Sequence, residues 1–135
     1  PGRPVALGVI RAKSSSCDNA AVFAGLPGNP VAAFVTFSFI VRPLIAQLAG
    51  AQLPKLYPVI ARSGFAYKKK KGRREYVRVV VSYGEGAYIA RKFPQDGAGV
   101  ITSLTETDGL AELDDDLTGI SAGDEIRVYP YAQLM

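Results

Sequence analysis

The hydrophobic pattern of the chain changes near Pro54, and this change limits its fold more than any other feature. Between residues 31 and 48, apolar side chains recur at the spacing of a helix. After Pro54 the pattern breaks into short apolar runs separated by glycine-rich turns, which is typical of a small barrel or sandwich. We therefore predict the tail of an α/β domain in residues 1–50, a linker at 51–54, and a small all-β barrel domain in residues 55–135.

Short apolar runs and turn residues predict the individual elements. Asn29 suits the cap at the start of the helix, Pro30 its first position, and Gly50 its end. Pro43 should kink the helix or end its first part. Because the helix is apolar on all sides, we expect it to be buried on more than one face. The predicted strands are residues 5–10, 20–24, 57–66, 75–82, 87–92, 110–113 and 125–129.

The composition excludes several classes of chemistry. The chain has no histidine and a single cysteine, Cys17, which lies in a polar loop and receives no role. Serine–histidine and cysteine–histidine catalysis, histidine-bound metals and an internal disulfide are therefore impossible within these residues. Any chemistry has to use arginine, lysine, carboxylates, hydroxyls, backbone amides or a hard cation. One cysteine also suits a reducing compartment.

Positive charge is concentrated in one short segment. The net charge is +4, and six cations lie within residues 68–74. The simplest interpretation is a solvated, mobile hairpin tip, and the alternative is attraction of an anionic ligand. A polar turn is the interpretation of the acidic run Asp114, Asp115 and Asp116, because a metal site would need a second carboxylate motif.

We predict no membrane span, because Arg42 and Pro43 interrupt the longest apolar run.

The turn Gly25-Leu26-Pro27-Gly28-Asn29-Pro30 is the strongest local signal for a site. Its glycines allow a ligand to approach the backbone closely, and the helix N-terminus that follows favours an anion. The competing interpretation is a plain strand-to-helix connection with a capping asparagine. Spacing alone favours this structural interpretation.

The segment Gly72-Arg73-Arg74-Glu75-Tyr76-Val77-Arg78 is the second signal. On a strand, Arg74, Tyr76 and Arg78 share one face, and Glu75, Val77 and Val79 share the other. The planar guanidinium of Arg78 suits an oxyanion. The alternative is a surface arginine paired with a nearby carboxylate.

These two segments, together with Pro1-Gly2-Arg3-Pro4, Phe93-Pro94-Gln95-Asp96-Gly97-Ala98-Gly99 and Ala122-Gly123-Asp124-Glu125-Ile126-Arg127-Val128, resemble the molybdopterin molybdenumtransferase family of MoeA and the gephyrin E domain. The resemblance covers essentially the whole chain in the same order. It implies that residues 1–50 end the molybdopterin-binding domain and that residues 55–135 form the C-terminal barrel. It further implies an enzyme that inserts molybdenum from molybdate into adenylylated molybdopterin, releases AMP, uses Mg²⁺, and works as a cytoplasmic homodimer.

The resemblance also implies a set of site residues. Arg3 stands where the family usually has lysine in an anion-binding turn, and Arg78 matches the family's molybdate arginine. Ala32 and Ala98 replace two family serines, so two hydroxyl donors are missing. The catalytic carboxylates and Mg²⁺ ligands are expected before Pro1, so this chain alone should be inactive. The candidate substrate-binding residues are Gly2, Arg3, Pro4, Pro27, Gly28, Asn29, Pro30, Arg74, Arg78 and Gly97.

Two other classes of function stay open. A small barrel could bind single-stranded nucleic acid through its basic hairpin and its tyrosines. We interpret these aromatic residues as barrel packing instead, so nucleic-acid binding is the weaker hypothesis. The second alternative is a scaffold or dimerisation module, which would expose apolar surface on the helix at residues 31–48.

Overall fold

Two antiparallel strands begin the fold in a computed structural model that describes residues 5–11, 20–84, 86–94 and 102–135. They are β1 (Ala6–Arg11) and β2 (Ala20–Gly25). Both predicted strands are confirmed, while the predicted loop between them lies outside the described residues. Apolar side chains are exposed on both faces of the pair, as with Leu7 at 57% and Ile10 at 61%.

One continuous helical segment follows. It consists of α1 (Pro30–Thr36), a π-helical segment (Phe37–Val41) and α2 (Arg42–Leu48). Pro43 has no N–H, and its ring crowds the preceding turn. The disturbance expected there takes the form of the wider π turn, in which the N–H of Arg42 bonds to the carbonyl of Phe37.

The predicted ends of the helix are confirmed. Asn29 caps the first turn with its side chain, and Pro30 takes the first helical position. Gly50 has a φ of +68°, a conformation that glycine adopts without steric cost. The N–H groups of Gly50 and Ala51 bond back to carbonyls of the last turn, which completes a Schellman motif.

A closed five-stranded barrel forms the second part, as predicted. The elements of this part are β3 (Val59–Ser63), β4 (Tyr67–Lys68), β5 (Glu75–Gly84), β6 (Ala87–Lys92), α3 (Thr102–Thr105), β7 (Gly109–Leu113), β8 (Gly119–Ile120), β9 (Glu125–Pro130) and α4 (Tyr131–Leu134). The barrel strands run in the order β3-β6-β5-β7-β9, with β3 and β6 parallel and the other neighbours antiparallel. Strands β4 and β8 pair in a separate two-stranded sheet.

Small aliphatic side chains fill the barrel. Val79, Ala90 and Leu113 are completely buried at its centre. The prediction that the tyrosines pack in the barrel is wrong for Tyr83 and Tyr88, which are 68% and 46% exposed. A five-stranded barrel is narrow, so these two rings lie at the β5–β6 hairpin and contact each other edge-to-face at 5.1 Å.

The helix lies against the outside of the barrel. Phe39 stacks on Tyr76 with ring centroids 4.6 Å apart, and Phe34 meets Tyr131 edge-to-face at 5.4 Å. Our expectation that more than one face is buried is wrong for the described chain. The barrel covers one side only, and α2 has no buried residue.

The length and apolar composition of the segment from Pro30 to Leu48 would also suit a membrane span. Core helices of soluble proteins have the same properties. Ring contacts of Phe34 and Phe39 hold one side of this segment against the rest of the chain.

Candidate functional site

Arg78 is held at a fixed position on the outer face of the barrel. Its Nη1 donates a hydrogen bond to the hydroxyl of Ser103 on α3, and its guanidinium lies 5.8 Å from the centre of the Phe93 ring. Ser103 is completely buried, and its carbonyl accepts a 2.5 Å hydrogen bond from Thr107. The arginine is therefore oriented by its neighbours before any ligand arrives.

A small cavity of about 80 Å³ lies beside Arg78. A second cation, Lys92, also lines it, and the Lys92 ammonium lies 5.4 Å from the centre of the Tyr67 ring. Two cations on a cavity of this size favour a small anion, since larger organic ligands need about 300 Å³ or more. We call this space the Arg78 cavity; Tyr67, Tyr76, Val77, Arg78, Lys92 and Phe93 line it.

Arg74 is part of a different group of charges. Its Nε lies 3.5 Å from Glu112, and its Nη2 lies 3.4 Å from Asp114. Arg127 also binds both carboxylates, with its Nε 3.1 Å from Glu112. The negative charge of Glu112, followed by that of Asp114, raises the pKa of Arg74 despite some loss from burial. Arg74 thus serves internal ion pairs, the alternative we considered for a surface arginine.

Glu112 is the buried centre of this group, with a side chain that is only 5% exposed. The hydroxyls of Tyr76 and Tyr129 donate to its two oxygens at 3.2 and 3.3 Å. Burial, and then the charge of Glu112, raises the pKa of both tyrosines. Glu112 therefore ties β5 and β9 to β7 below the aromatic contact with the helix.

The N–H groups in the first turn of the helix already donate hydrogen bonds to Asn29. The side-chain oxygen of Asn29 accepts from the N–H groups of Val31 at 3.0 Å and Ala32 at 3.1 Å. The Asn29 carbonyl accepts from the N–H of Ala33 at 2.8 Å. An anion at this helix end would have to displace the asparagine side chain, so the geometry favours a structural turn.

The remaining predicted site residues divide into two groups. Roles in substrate binding for Pro27, Gly28, Asn29 and Pro30 stay predictions. The other predicted residues, Gly2, Arg3, Pro4 and Gly97, lie outside the described residues, as does Ala98.

The basic hairpin is anchored at its base, and the predicted mobility of its tip stays a prediction. The Lys69 ammonium donates to the carbonyls of Asp114 at 2.7 Å and Leu117 at 2.8 Å. The N–H of Gly72 bonds to the carbonyl of Asp115 at 2.6 Å. The hairpin is therefore fastened to the loop between β7 and β8.

Within the described ranges, no three His, Cys, Asp or Glu side chains that could bind a metal come together.

A family model for the MoeA C-terminal region (domain IV) matches residues 61–131, which is more than half of the chain. The chain belongs to the MoeA family. The family predicted from the sequence motifs is thus confirmed.

Similar proteins agree with this membership. Molybdopterin molybdenumtransferases of Haemophilus influenzae and a Nostoc species are each 31% identical, over 100% and 95% of this chain and 32% and 29% of their own. A solved MoeA protein of Pyrococcus horikoshii is 27% identical and covers 97% of this chain and 29% of its own, with a TM-score of 0.68. A molybdenum cofactor biosynthesis protein of Pyrococcus furiosus is 32% identical over 77% of this chain and 36% of its own, with a TM-score of 0.62. The chain therefore spans about a third of the length of these MoeA relatives.

Sequence reasoning missed three residues around these sites. Ser103 and Lys92 reach the Arg78 position only through the fold, and no motif marks them. Glu112 did leave a signal, since it is the one charged residue in the apolar strand Gly109–Leu113. A charge at such a position requires partners, because charged groups are seldom buried alone.

Proposed function

We propose that this protein inserts molybdenum from molybdate into adenylylated molybdopterin, with release of AMP, as part of molybdenum cofactor biosynthesis. Membership of the MoeA family and the name shared by its relatives support this reaction. The chain spans about a third of those relatives, and we place the catalytic carboxylates and the Mg²⁺ ligands in the remaining part. On this proposal the isolated chain is inactive.

The Arg78 cavity is the observation that carries the proposal. Molybdate is a dianion, so its site needs fixed donors and positive charge. Arg78 meets this need because Ser103 and Phe93 orient its guanidinium, and Lys92 adds a second cation at the same cavity. A guanidinium fork matches a tetrahedral oxyanion better than a point charge does.

In this reaction the described residues would bind and orient the molybdate anion. Arg78 and Lys92 would hold the anion, and the buried hydroxyl of Ser103 would keep the guanidinium directed at it. Mg²⁺, when bound, would supply charge neutralisation for the phosphates. We place the residues that would hold this ion in the part of the full-length protein outside this chain.

The test is Arg78→Ala in the full-length protein. A charge-assisted bond is worth about 1.5–3 kcal/mol, so the molybdate concentration for half-maximal cofactor formation should rise roughly ten- to a hundred-fold. Arg78→Lys should recover part of this loss. Ser103→Ala should weaken molybdate use less than Arg78→Ala, because it loosens the guanidinium without removing the charge.

Arg91 offers a matched control. It also donates to a serine hydroxyl, that of Ser82 at 2.9 Å, but it does not line the Arg78 cavity. Arg91→Ala should leave molybdate use unchanged. If a folded Arg78→Ala protein behaves like Arg91→Ala, Arg78 does not bind the anion and the proposed site is wrong.

We also propose that residues 1–50 complete an α/β domain and that the full-length protein is a cytoplasmic homodimer. Exposed apolar side chains on β1, β2 and α2 support this arrangement, as with Ile10 at 61% and Leu48 at 62%. A two-stranded sheet cannot bury both of its faces by itself. Sedimentation of the full-length protein tests the dimer, and a monomer at micromolar concentration would contradict it.

A further inference from the structure

The helix that carries Ser103 is too short to be stable by itself. It is the single turn α3, and isolated helices of this length do not persist in water. Ser103 is nevertheless completely buried, and its hydroxyl accepts the hydrogen bond that orients Arg78. The direction of the guanidinium therefore depends on the contacts that hold α3 in place.

Thr107 holds the end of this short helix. Carbonyls in the last turn of a helix have no donor within the helix, and the Thr107 hydroxyl donates to the carbonyl of Ser103 at 2.5 Å. The same hydroxyl oxygen lies 2.7 Å from the hydroxyl of Tyr131. A threonine hydroxyl has one proton, and the Ser103 carbonyl receives it, so Tyr131 is the donor in this second bond. Donation thus runs from Tyr131 to Thr107 and from Thr107 to Ser103.

The docking of α4 on the rest of the chain does not depend on the hydroxyl of Tyr131. The Tyr131 ring contacts Phe34 edge-to-face at 5.4 Å, and its backbone N–H donates to the carbonyl of Asp108 at 3.0 Å. The side-chain amide of Gln133 also makes two hydrogen bonds of 2.9 Å with the backbone of Tyr57. These contacts fix the tyrosine ring, and its hydroxyl is therefore presented at a set position.

The Tyr131 hydroxyl remains a donor at neutral pH. Burial raises its pKa, and the bond to Thr107 and the charge of Arg78 offset only part of this rise. Tyr131 is not among the described residues that line the Arg78 cavity. Any effect of this hydroxyl on an anion in the cavity has to pass through other side chains.

We propose that Tyr131 is a positioning residue for the Arg78 cavity. Its hydroxyl holds Thr107, which holds the end of α3, and Ser103 on that helix directs the guanidinium. The inference rests on the proposed function, since it assigns to Tyr131 the orientation of the arginine that binds molybdate. Loss of the hydroxyl should loosen α3 and leave Arg78 with its charge but with a less defined direction.

The experiment is Tyr131→Phe in the full-length protein, which keeps the ring and removes only the hydroxyl. The molybdate concentration for half-maximal cofactor formation should rise about two- to tenfold, as expected for one neutral hydrogen bond. The rate at saturating molybdate should stay unchanged, because the hydroxyl acts on binding. Thr107→Val should have the same effect, whereas Thr107→Ser keeps a hydroxyl and should behave like the unaltered protein. Unchanged molybdate use in a folded Tyr131→Phe protein would overturn the inference.

Tyr129→Phe is the matched control. Tyr129 also meets a helix ring edge-to-face, that of Phe39 at 5.5 Å, but its hydroxyl donates to Glu112 rather than to Thr107. The control should lower thermal stability and leave molybdate use unchanged. If Tyr129→Phe and Tyr131→Phe raise the molybdate requirement equally, general loosening explains the result and the positioning role is wrong.

A double variant, Arg78→Ala with Tyr131→Phe, tests whether the hydroxyl acts through the arginine. It should need no more molybdate than Arg78→Ala alone, because residues that act in one network are not additive. A further rise as large as that in Tyr131→Phe alone would show that Tyr131 acts elsewhere.

The inference and the proposed function fail in different ways. If Arg78→Ala weakens molybdate use and Tyr131→Phe does not, the proposed site stands and the positioning role falls. If Arg78→Ala leaves molybdate use unchanged, the proposed site falls and the positioning role falls with it.

Discussion

Replacement of Glu112 by glutamine should destabilise the chain strongly, because four donors converge on this buried carboxylate. Two are arginines at 3.5 and 3.1 Å, and two are tyrosine hydroxyls at 3.2 and 3.3 Å. Removal of one partner from a buried ion pair costs about 3–5 kcal/mol. The arginine side chains are 52% and 43% exposed, so water can hydrate them after the change. We therefore expect a loss of about 2–3 kcal/mol in the free energy of unfolding.

Asp114→Asn provides the comparison, because Asp114 pairs with the same two arginines but is 36% exposed. An exposed ion pair contributes below about 1 kcal/mol. Both variants should be measured by urea unfolding, followed by circular dichroism, with the m value checked for constancy. Equal losses for Glu112→Gln and Asp114→Asn would show that burial of the carboxylate does not set the cost, and our reasoning would be refuted.

Three further predictions concern stability. Burial and the charge of Glu112 raise the pKa of Tyr76 above the 10.0 of an unfolded chain. The contribution of this tyrosine to the free energy of unfolding should therefore be fully present below about pH 10. It should fall above that pH by up to about 1.4 kcal/mol per pH unit for this tyrosine, and Tyr76→Phe should flatten the fall in a thermal unfolding series. Gly109→Ala should cost about 1–3 kcal/mol in urea unfolding, because its Cβ would lie 2.5 Å from a backbone oxygen, whereas Gly28→Ala, with nothing within 4 Å, should change stability by less than about 0.5 kcal/mol. Lys69→Gln should lower the thermal midpoint, since its ammonium bonds two loop carbonyls, and Lys70→Gln should not.

Elements whose ends are marked by capping residues or glycine turns could be predicted from the sequence. Asn29, Pro30 and Gly50 mark the helix because each satisfies or tolerates a backbone demand at a helix end. The barrel strands were predictable because glycine turns separate apolar runs. Strand β8 was missed because Gly119 and Ile120 carry no periodic pattern, and their pairing with Tyr67 and Lys68 is decided by the tertiary fold.

The candidate site was less predictable, because its partners are distant in the sequence. Arg78 was identified, but its contact with Ser103 depends on where α3 packs. Arg74 was assigned to the substrate, and its pairing with Glu112 becomes visible only when β5 and β7 lie side by side. The predicted burial of the helix failed for a similar reason, since an apolar pattern does not say which neighbour will cover each face.

The π turn in the helix decides how the two parts of this chain meet. Phe34 contacts Tyr131 of α4 and Phe39 contacts Tyr76 of the barrel, yet the two phenylalanines are five residues apart. In a regular α-helix their directions would differ by about 140°, and the wider turn at Phe37–Val41 reduces this angle. Four residues of regular α-helix would separate the two directions by only about 40°, so the π turn takes up one extra residue while both rings stay on the same side. A related chain that lacks one residue in this stretch should therefore have a regular α-helix there, because loss of the residue and loss of the π turn together keep the phase of both contacts.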